Sequence, residues 1–187
     1  NYMPNSLSRK LSSMKQFYQI LKDEGYICIN QLNNIPTFKK EKKLPKSLSE
    51  NVITLLLAKA RENYENLQSD NTQKKIRDLR TLTVLETLYS TGMRITELLS
   101  LPLSDFVSLK NNLQIKGKGG VYRLVAFNKA SILTIKLWIK YRSNSKKFHN
   151  NKYMFPEKSG NSYVSRQTIY KDIVELSNSI GIDNKEV

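Results

Sequence analysis

Two cationic residues on tight turns, Arg94 and Lys118, are the side chains best suited to chemistry on a phosphate. Arg94 lies in Tyr89-Ser-Thr-Gly-Met-Arg-Ile-Thr-Glu-Leu-Leu-Ser-Leu101. The glycine two residues before it permits a sharp backbone turn and aims the guanidinium away from the helix that follows, which Leu98, Leu99 and Leu101 can anchor from below. A guanidinium suits phosphate because its planar fork offers two parallel charge-assisted hydrogen bonds and stays charged at any working pH. Lys118 stands in Gly117-Lys118-Gly119-Gly120, with Leu113 and Ile115 before it and Val121, Leu124, Val125 and Phe127 after, a pattern that predicts a β-hairpin. Taken singly, each residue has a plain alternative: Arg94 pairs with a nearby carboxylate, and Lys118 is a solvated turn lysine.

Other chemistries find little support. Gly117-Lys-Gly-Gly lacks the spaced glycines and the Lys-Ser or Lys-Thr of a nucleotide-binding loop. His149 has no second histidine or cysteine near it in sequence, so no metal site is expected. Cys28 is the single cysteine, which excludes an intramolecular disulfide and points to a reducing compartment. Lysine and arginine number 31 against 16 acidic residues, a net charge of +15. That excess draws polyanions, nucleic acid first and anionic membrane next, although solvated lysines alone produce the same composition. No apolar run approaches the ~20 residues that span a bilayer, and the first residues lack a signal-peptide layout. A cytoplasmic protein without a membrane partner is expected. Asn1 is not a start methionine and the last residues, Gly181 to Val187, are polar, so the chain is expected to be a segment of something longer.

Several elements must position these residues. Leu7, Leu11, Met14, Tyr18 and Leu21 predict an amphipathic helix whose other face carries Arg9, Ser12, Ser13 and Gln16. That short-polar face suits either solvent or a DNA major groove. Residues 25–46 lose the periodicity and hold Pro36, Pro45 and the run Lys39-Lys40-Glu41-Lys42-Lys43, which predicts a linker with a domain boundary near residue 44. Ser47 or Ser49 then caps a helix with Ile53, Leu56, Leu57, Ala60 and Tyr64 on one stripe. Leu79, Leu82, Leu85 and Tyr89 mark the next helix, ended by Gly92, and a short one runs from Ile95 toward Pro102. After the hairpin, Ile132, Leu133, Leu137 and Ile139 predict another helix. The apolar segment Tyr153-Met-Phe-Pro156 precedes a last helix with Ile169, Ile173, Leu176 and Ile180. The expected class is mainly α with a small β-hairpin, an α+β fold.

Three linked motifs carry a resemblance. Thr91-Gly-Met-Arg-Ile-Thr-Glu-Leu98, Leu101-Pro-Leu-Ser-Asp-Phe106 and Ile115-Lys-Gly-Lys-Gly-Gly-Val-Tyr-Arg-Leu-Val125 closely resemble, in order and spacing, the first half of the catalytic domain of Xer-type tyrosine site-specific recombinases, of the phage integrase family. Lys43-Leu-Pro-Lys-Ser-Leu-Ser49, Met154-Phe-Pro156 and Ser165-Arg-Gln-Thr168 extend the similarity over nearly the whole chain. The resemblance implies that residues 1–43 are the C-terminal remnant of a helical, SAM-like core-binding domain plus linker, and that residues 44–187 are the N-terminal portion of the catalytic domain.

The same resemblance implies a reaction. A tyrosine hydroxyl attacks the scissile phosphate of duplex DNA, forming a 3′-phosphotyrosyl link and freeing a 5′-hydroxyl, with no cofactor. Arg94 takes the place of the family's first catalytic arginine and Lys118 that of its hairpin lysine, which implies that Lys118 gives a proton to the departing 5′-oxygen. Arg123, Arg166 and Gln167 are expected to hold DNA phosphates, and Arg9, Ser13 and Gln16 to contact DNA from the first helix. Glu97 and Asp105 match family positions and are expected to support the arginine loop. Partners are the double-stranded recombination site and related subunits in a homo- or hetero-tetramer, serving chromosome-dimer resolution or DNA integration. The family's His-x-x-Arg element, second histidine or tryptophan, and nucleophilic tyrosine are expected after Val187. Tyr163 and Tyr170 stand in no matching motif, so the segment alone is expected to be inactive. The competing expectations are a non-cleaving DNA-binding protein or decoy fragment, and an interaction protein whose charge only keeps it in solution.

Overall fold

Pro4 opens the first helix, α1 (Pro4–Asp23), where its missing N–H is no loss. The structure is a computed structural model and describes residues 4–36, 47–66, 72–145, 148, 150–157 and 162–182. The chain divides into two compact units, Asn1–Lys46 and Ser47–Val187. The expected boundary near residue 44 falls outside the described residues, as does His149. No helix among the described residues is long and apolar enough to cross a membrane.

In the first unit, Gly25 adopts φ +79° just past α1, a left-handed conformation in which a side chain would be strained. The chain then folds back along the helix. Buried Asn30 fastens it: its amide donates to the Lys15 carbonyl at 3.2 Å, while its oxygen accepts from Leu32 N–H at 3.1 Å and caps a short 3-10 turn, Gln31–Asn34. Met14, expected on the inward stripe, is 50% exposed, and Phe17 and Ile20 are exposed as well.

The second unit is built around one helix. Ser49, rather than Ser47, caps α2 (Glu50–Glu65) by accepting from Val52 N–H at 3.3 Å. The helix buries Leu56, Leu57 and Ala60. Its neighbour α3 (Thr72–Thr91) packs against α2 and four later elements described below, and is buried around most of its circumference. Thr83 and Thr87 lie in that core because each hydroxyl donates to the carbonyl four residues back at 2.7 Å, leaving no bare donor. Glu86 is buried too, and Arg61 of α2 covers its carboxylate from two guanidinium nitrogens.

After Gly92 come α4 (Ile95–Ser100) and a one-turn helix, α5 (Ser104–Val107), that the apolar pattern did not predict. The hairpin forms as expected from β1 (Asn112–Lys116) and β2 (Tyr122–Ala126), antiparallel with Ile115 opposite Arg123. Asn128 caps α6 (Lys129–Ser143) by accepting from Ser131 N–H at 2.8 Å. Of the residues that predicted this helix, Ile132, Leu137 and Ile139 pack half-buried against the core and Leu133 is 60% exposed, while Ser131, Thr134, Ile135, Trp138 and Arg142 are buried.

The reason lies in the loop that α6 meets. Trp138 Nε1 and Arg142 Nη1 both donate to the Met154 carbonyl, at 2.9 and 3.1 Å, and Arg142 also donates to the Asn151 carbonyl. A buried guanidinium so satisfied ties the helix to residues 148–154, and its burial lowers its pKa. Tyr153-Met-Phe-Pro156 makes single bridges to Pro102 and Tyr163 rather than a strand, since proline at both bridge ends supplies no N–H. Ser165 caps α7 (Arg166–Asn178) through Thr168 N–H at 3.1 Å, and Ile180 lies beyond its end. The main core gathers Leu98, Leu99, Ile115, Val125, Ile135, Trp138, Phe155 and Ile169 beneath the arginine loop and the hairpin. A smaller cluster joins α2, α3 and α7.

Candidate active site

The turn before Arg94 is shaped entirely by local groups. Thr91 Oγ1 donates to the Thr87 carbonyl at 2.6 Å and accepts from Met93 N–H at 3.3 Å. Gly92 takes φ +61°, and Met93 is buried as the anchor. The chain therefore leaves α3 in one direction only, and Arg94 emerges as the N-cap residue of α4 with a side chain 61% exposed.

Glu97, one turn on, accepts from the backbone N–H of Arg94 at 2.8 Å, which is one half of a capping box. The other half cannot form, because an arginine side chain has donors only. Its guanidinium instead donates to Glu97 Oε1 at 2.7 Å. Arg123 completes the arrangement from β2: Nη2 donates to Glu97 Oε2 at 2.7 Å and Nη1 to Oε1 at 3.3 Å. The Glu97 side chain is 14% exposed, that of Arg123 37%. Bonds from Arg123, then from the Arg94 backbone and the Arg94 guanidinium, hold the Glu97 carboxyl down at about 2 against its burial. Two guanidiniums thus share one carboxylate, leaving one positive charge over on an open surface.

The hairpin is seated on the same loop. Ser90 Oγ donates to the Ala126 carbonyl at 3.2 Å and accepts from Asn128 N–H at 2.8 Å, which pins the hairpin base to the end of α3. Ile115 and Val125 point into the core, and Arg123 is on their side of the sheet. Lys118 begins a short 3-10 turn, Lys118–Gly120, at the tip, where Gly119 and Gly120 take positive φ. The fold brings the hairpin and the arginine loop together, joined by Ser90 and Glu97.

Other expected residues lie elsewhere. Arg166 and Gln167, both exposed in the first turn of α7, line an apolar groove of about 420 Å³ that also holds Leu88, Ile95, Ile169 and Tyr170. Ile95 makes this groove adjacent to Arg94. Asp105 sits on α5 and accepts from Ser104 at 3.4 Å. Tyr163 packs edge-on against Tyr153, with centroids 5.1 Å apart. Arg9, Ser13 and Gln16 are exposed on α1, with the Ser13 hydroxyl donating to the Arg9 carbonyl. Sequence reasoning missed Ser90 and Gly117. Their only signal was position, inside the arginine motif and before the hairpin lysine.

A larger cleft of about 620 Å³ contains Lys74, Arg77, Arg80, Trp138 and Asp172. Its guanidiniums are matched by carboxylates: Arg77 holds Glu175 through two bonds of 2.9 and 3.0 Å, and Arg80 holds Asp172 at 2.6 Å. The smaller, open arginine pair is therefore the better anion site.

A helical body that presents shared arginines beside a lysine-tipped hairpin is suited to holding an anion of phosphate geometry. Residues 46–187 match the phage integrase family, and the chain belongs to that family. It is 30% identical over 182 residues to tyrosine recombinase XerD of Brucella suis biovar 1 (strain 1330), covering 97% of this chain and 58% of that protein. It is 31% identical over 181 residues to tyrosine recombinase XerD of Rhizobium meliloti (strain 1021), covering 97% and 56%. The chain thus spans a little over half the length of these relatives. Among solved structures, the XerH site-specific recombinase bound to difH substrate matches with a TM-score of 0.58 at 24% identity, over 79% of this chain and 40% of that one. A lambda integrase(75-356) dimer bound to a COC' core site matches with a TM-score of 0.65 at 12% identity, over 96% and 60%. These likenesses agree with the expected fold class and with the Xer resemblance.

Proposed function

We propose that the protein containing this chain is an Xer-type site-specific recombinase that cuts and rejoins duplex DNA through a 3′-phosphotyrosyl intermediate, in chromosome-dimer resolution or DNA integration. The observation that carries the reading is the Arg94–Glu97–Arg123 centre: an arginine 61% exposed, oriented by a carboxylate it does not fully occupy, next to the hairpin of Lys118. Residues 44–187 are read as the N-terminal portion of the catalytic domain, and residues 1–43 as the end of a DNA-clamping domain plus linker. Arg9, Ser13 and Gln16 of α1, and Arg166 and Gln167 of α7, are assigned to DNA contacts. The working assembly is a tetramer of identical or related subunits on two duplexes.

The chemistry follows from charge. Attack on a phosphodiester adds negative charge to the non-bridging oxygens, and Arg94 spends only one N–H on Glu97, so its other donors are available there. Lys118 gives its proton to the 5′-oxygen as that oxygen leaves phosphorus. The phosphotyrosyl bond retains the energy of the broken one, and the freed 5′-hydroxyl can reverse the step on either strand.

The test incubates the complete protein with a nicked duplex carrying its candidate site and looks for a covalent protein–DNA adduct on denaturing gels. The expected result is an adduct lost in R94A, and lost in K118A unless the bridging 5′-oxygen is replaced by sulfur. If DNA is bound but no adduct forms, the reading gives way to a non-cleaving DNA-binding protein.

A further inference from the structure

We infer that Arg123 is a positioning residue rather than a phosphate ligand: through Glu97 it ties the hairpin that carries Lys118 to the loop that carries Arg94, and Gly117 leaves the space in which it does so. The inference rests on the recombinase reading above.

Side chains at 113, 115 and 117 would alternate onto the inner face of the hairpin, where Leu113 and Ile115 are opposite Val125 and Arg123. Residue 117 is the next inward position toward the tip. It is a glycine, although its φ of −86° is open to any residue. Space is the reason. A Cβ there would come within 3.2 Å of Arg123 Nη1 and 3.3 Å of the Val121 carbonyl. A side chain at 117 would press by a few tenths of an ångström on the guanidinium, both of whose terminal nitrogens reach Glu97 from there.

Arg94 and Arg123 therefore differ in kind. Arg94 is the more exposed and gives Glu97 one bond, whereas Arg123 gives two and is less exposed. A two-stranded hairpin is marginal by itself. This one is pinned at its base by Ser90, and between that anchor and Lys118 the Arg123–Glu97 bridge is the polar link to the arginine loop among the described residues. Glu97 is bonded at once to the Arg94 backbone, the Arg94 side chain and Arg123, so the two catalytic cations are set relative to each other through one carboxylate.

If so, losing Arg123 should impair proton delivery more than phosphate binding. The experiment compares R123M, which keeps the apolar stem, with K118A and R94A on an all-oxygen substrate and on one with a 5′-bridging sulfur, whose thiolate leaves without a proton. R123M is expected to lose on the order of 10²-fold in cleavage with oxygen and to come within about threefold of wild type with sulfur, as K118A does, while R94A stays impaired on both. G117A, which keeps Arg123 and adds only the crowding methyl, should show a smaller loss with the same rescue. An R123M deficit of equal size on both substrates makes Arg123 a phosphate ligand and overturns the inference; wild-type cleavage by G117A overturns the role given to Gly117. Should wild type make no adduct at all, the recombinase reading fails. Amide hydrogen exchange on residues 1–187 then reads the tether alone: in R123M faster exchange at Gly117, Gly120 and Leu98 sustains it, and unchanged exchange rejects it.

Discussion

Two arginine pairs stand on the same body and do opposite things with their charge. Arg77 and Arg80, on α3, each have a carboxylate on α7, Glu175 and Asp172, and Arg77 has Asp78 beside it as well, so acids more than match the arginines there and the cluster joins two helices. Arg94 and Arg123 have Glu97 between them, so one charge is left over and faces outward. The number of arginines is equal; the number of acids is not. What separates a structural ion-pair cluster from an anion site here is that stoichiometry, together with the exposure of Arg94, since a cation already matched by its own acid gains little from a phosphate.

That contrast breaks most visibly at Arg94. R94A should lower adduct formation by ~10²–10³ while leaving the thermal unfolding midpoint near wild type, because an exposed ion pair is worth little. Gel-based cleavage and a melting curve on one preparation check both halves. The converse variant is R80A. Arg80 and Asp172 are largely buried, so leaving Asp172 unpaired should cost about 3 kcal/mol in a denaturant titration, and once folded in the cold the variant should bind DNA as wild type does.

A third variant, E97Q, sharpens the comparison through pH. The folded Glu97 carboxyl lies at about 2, below an unfolded value of about 4.3. A depressed carboxyl contributes stability that is present above the unfolded value and is lost as pH falls through the folded one. The melting-temperature advantage of wild type over E97Q should hold at neutral pH, shrink below about 4.3 and close near 2. A gap that stays constant down to that pH would mean that the carboxylate charge is not what gathers the arginines. The smallest effects concern salt and surface pairing. R94A should reduce the slope of log affinity against log salt for duplex DNA by about one. R77A, whose charge is already matched by Glu175 and Asp78, should leave that slope unchanged.

How much of this could be read along the chain depended on range. Caps at Ser49, Asn128 and Ser165, the stop at Gly92 and the hairpin around Gly117 to Gly120 are contacts among near neighbours, and residue type specifies them. The burial of Trp138 and Arg142 on α6 was not legible in the aliphatic pattern, because both are drawn in by carbonyls of a loop up to sixteen residues away. The burial of α3 around most of its circumference was not legible for a related reason. Threonines that satisfy their hydroxyls on their own helix count as apolar once buried, and a hydropathy stripe does not register that.

At the site, sequence alone determined which cations are available and how the chain turns beside them: Arg94 after a left-handed glycine, and Lys118 on a glycine-rich hairpin tip. It also determined that Glu97 would lie one helical turn from Arg94, because a three-residue spacing on a helix is a local fact. Only the tertiary structure decided that Arg123, 26 residues further on, would claim the same carboxylate, that Ser90 would seat the hairpin, and that a side chain at position 117 would crowd Arg123. Those outcomes depend on where a sheet lands against a helix, and that is set by the shared core of Ile115, Val125, Leu98 and Leu99 rather than by any spacing along the chain.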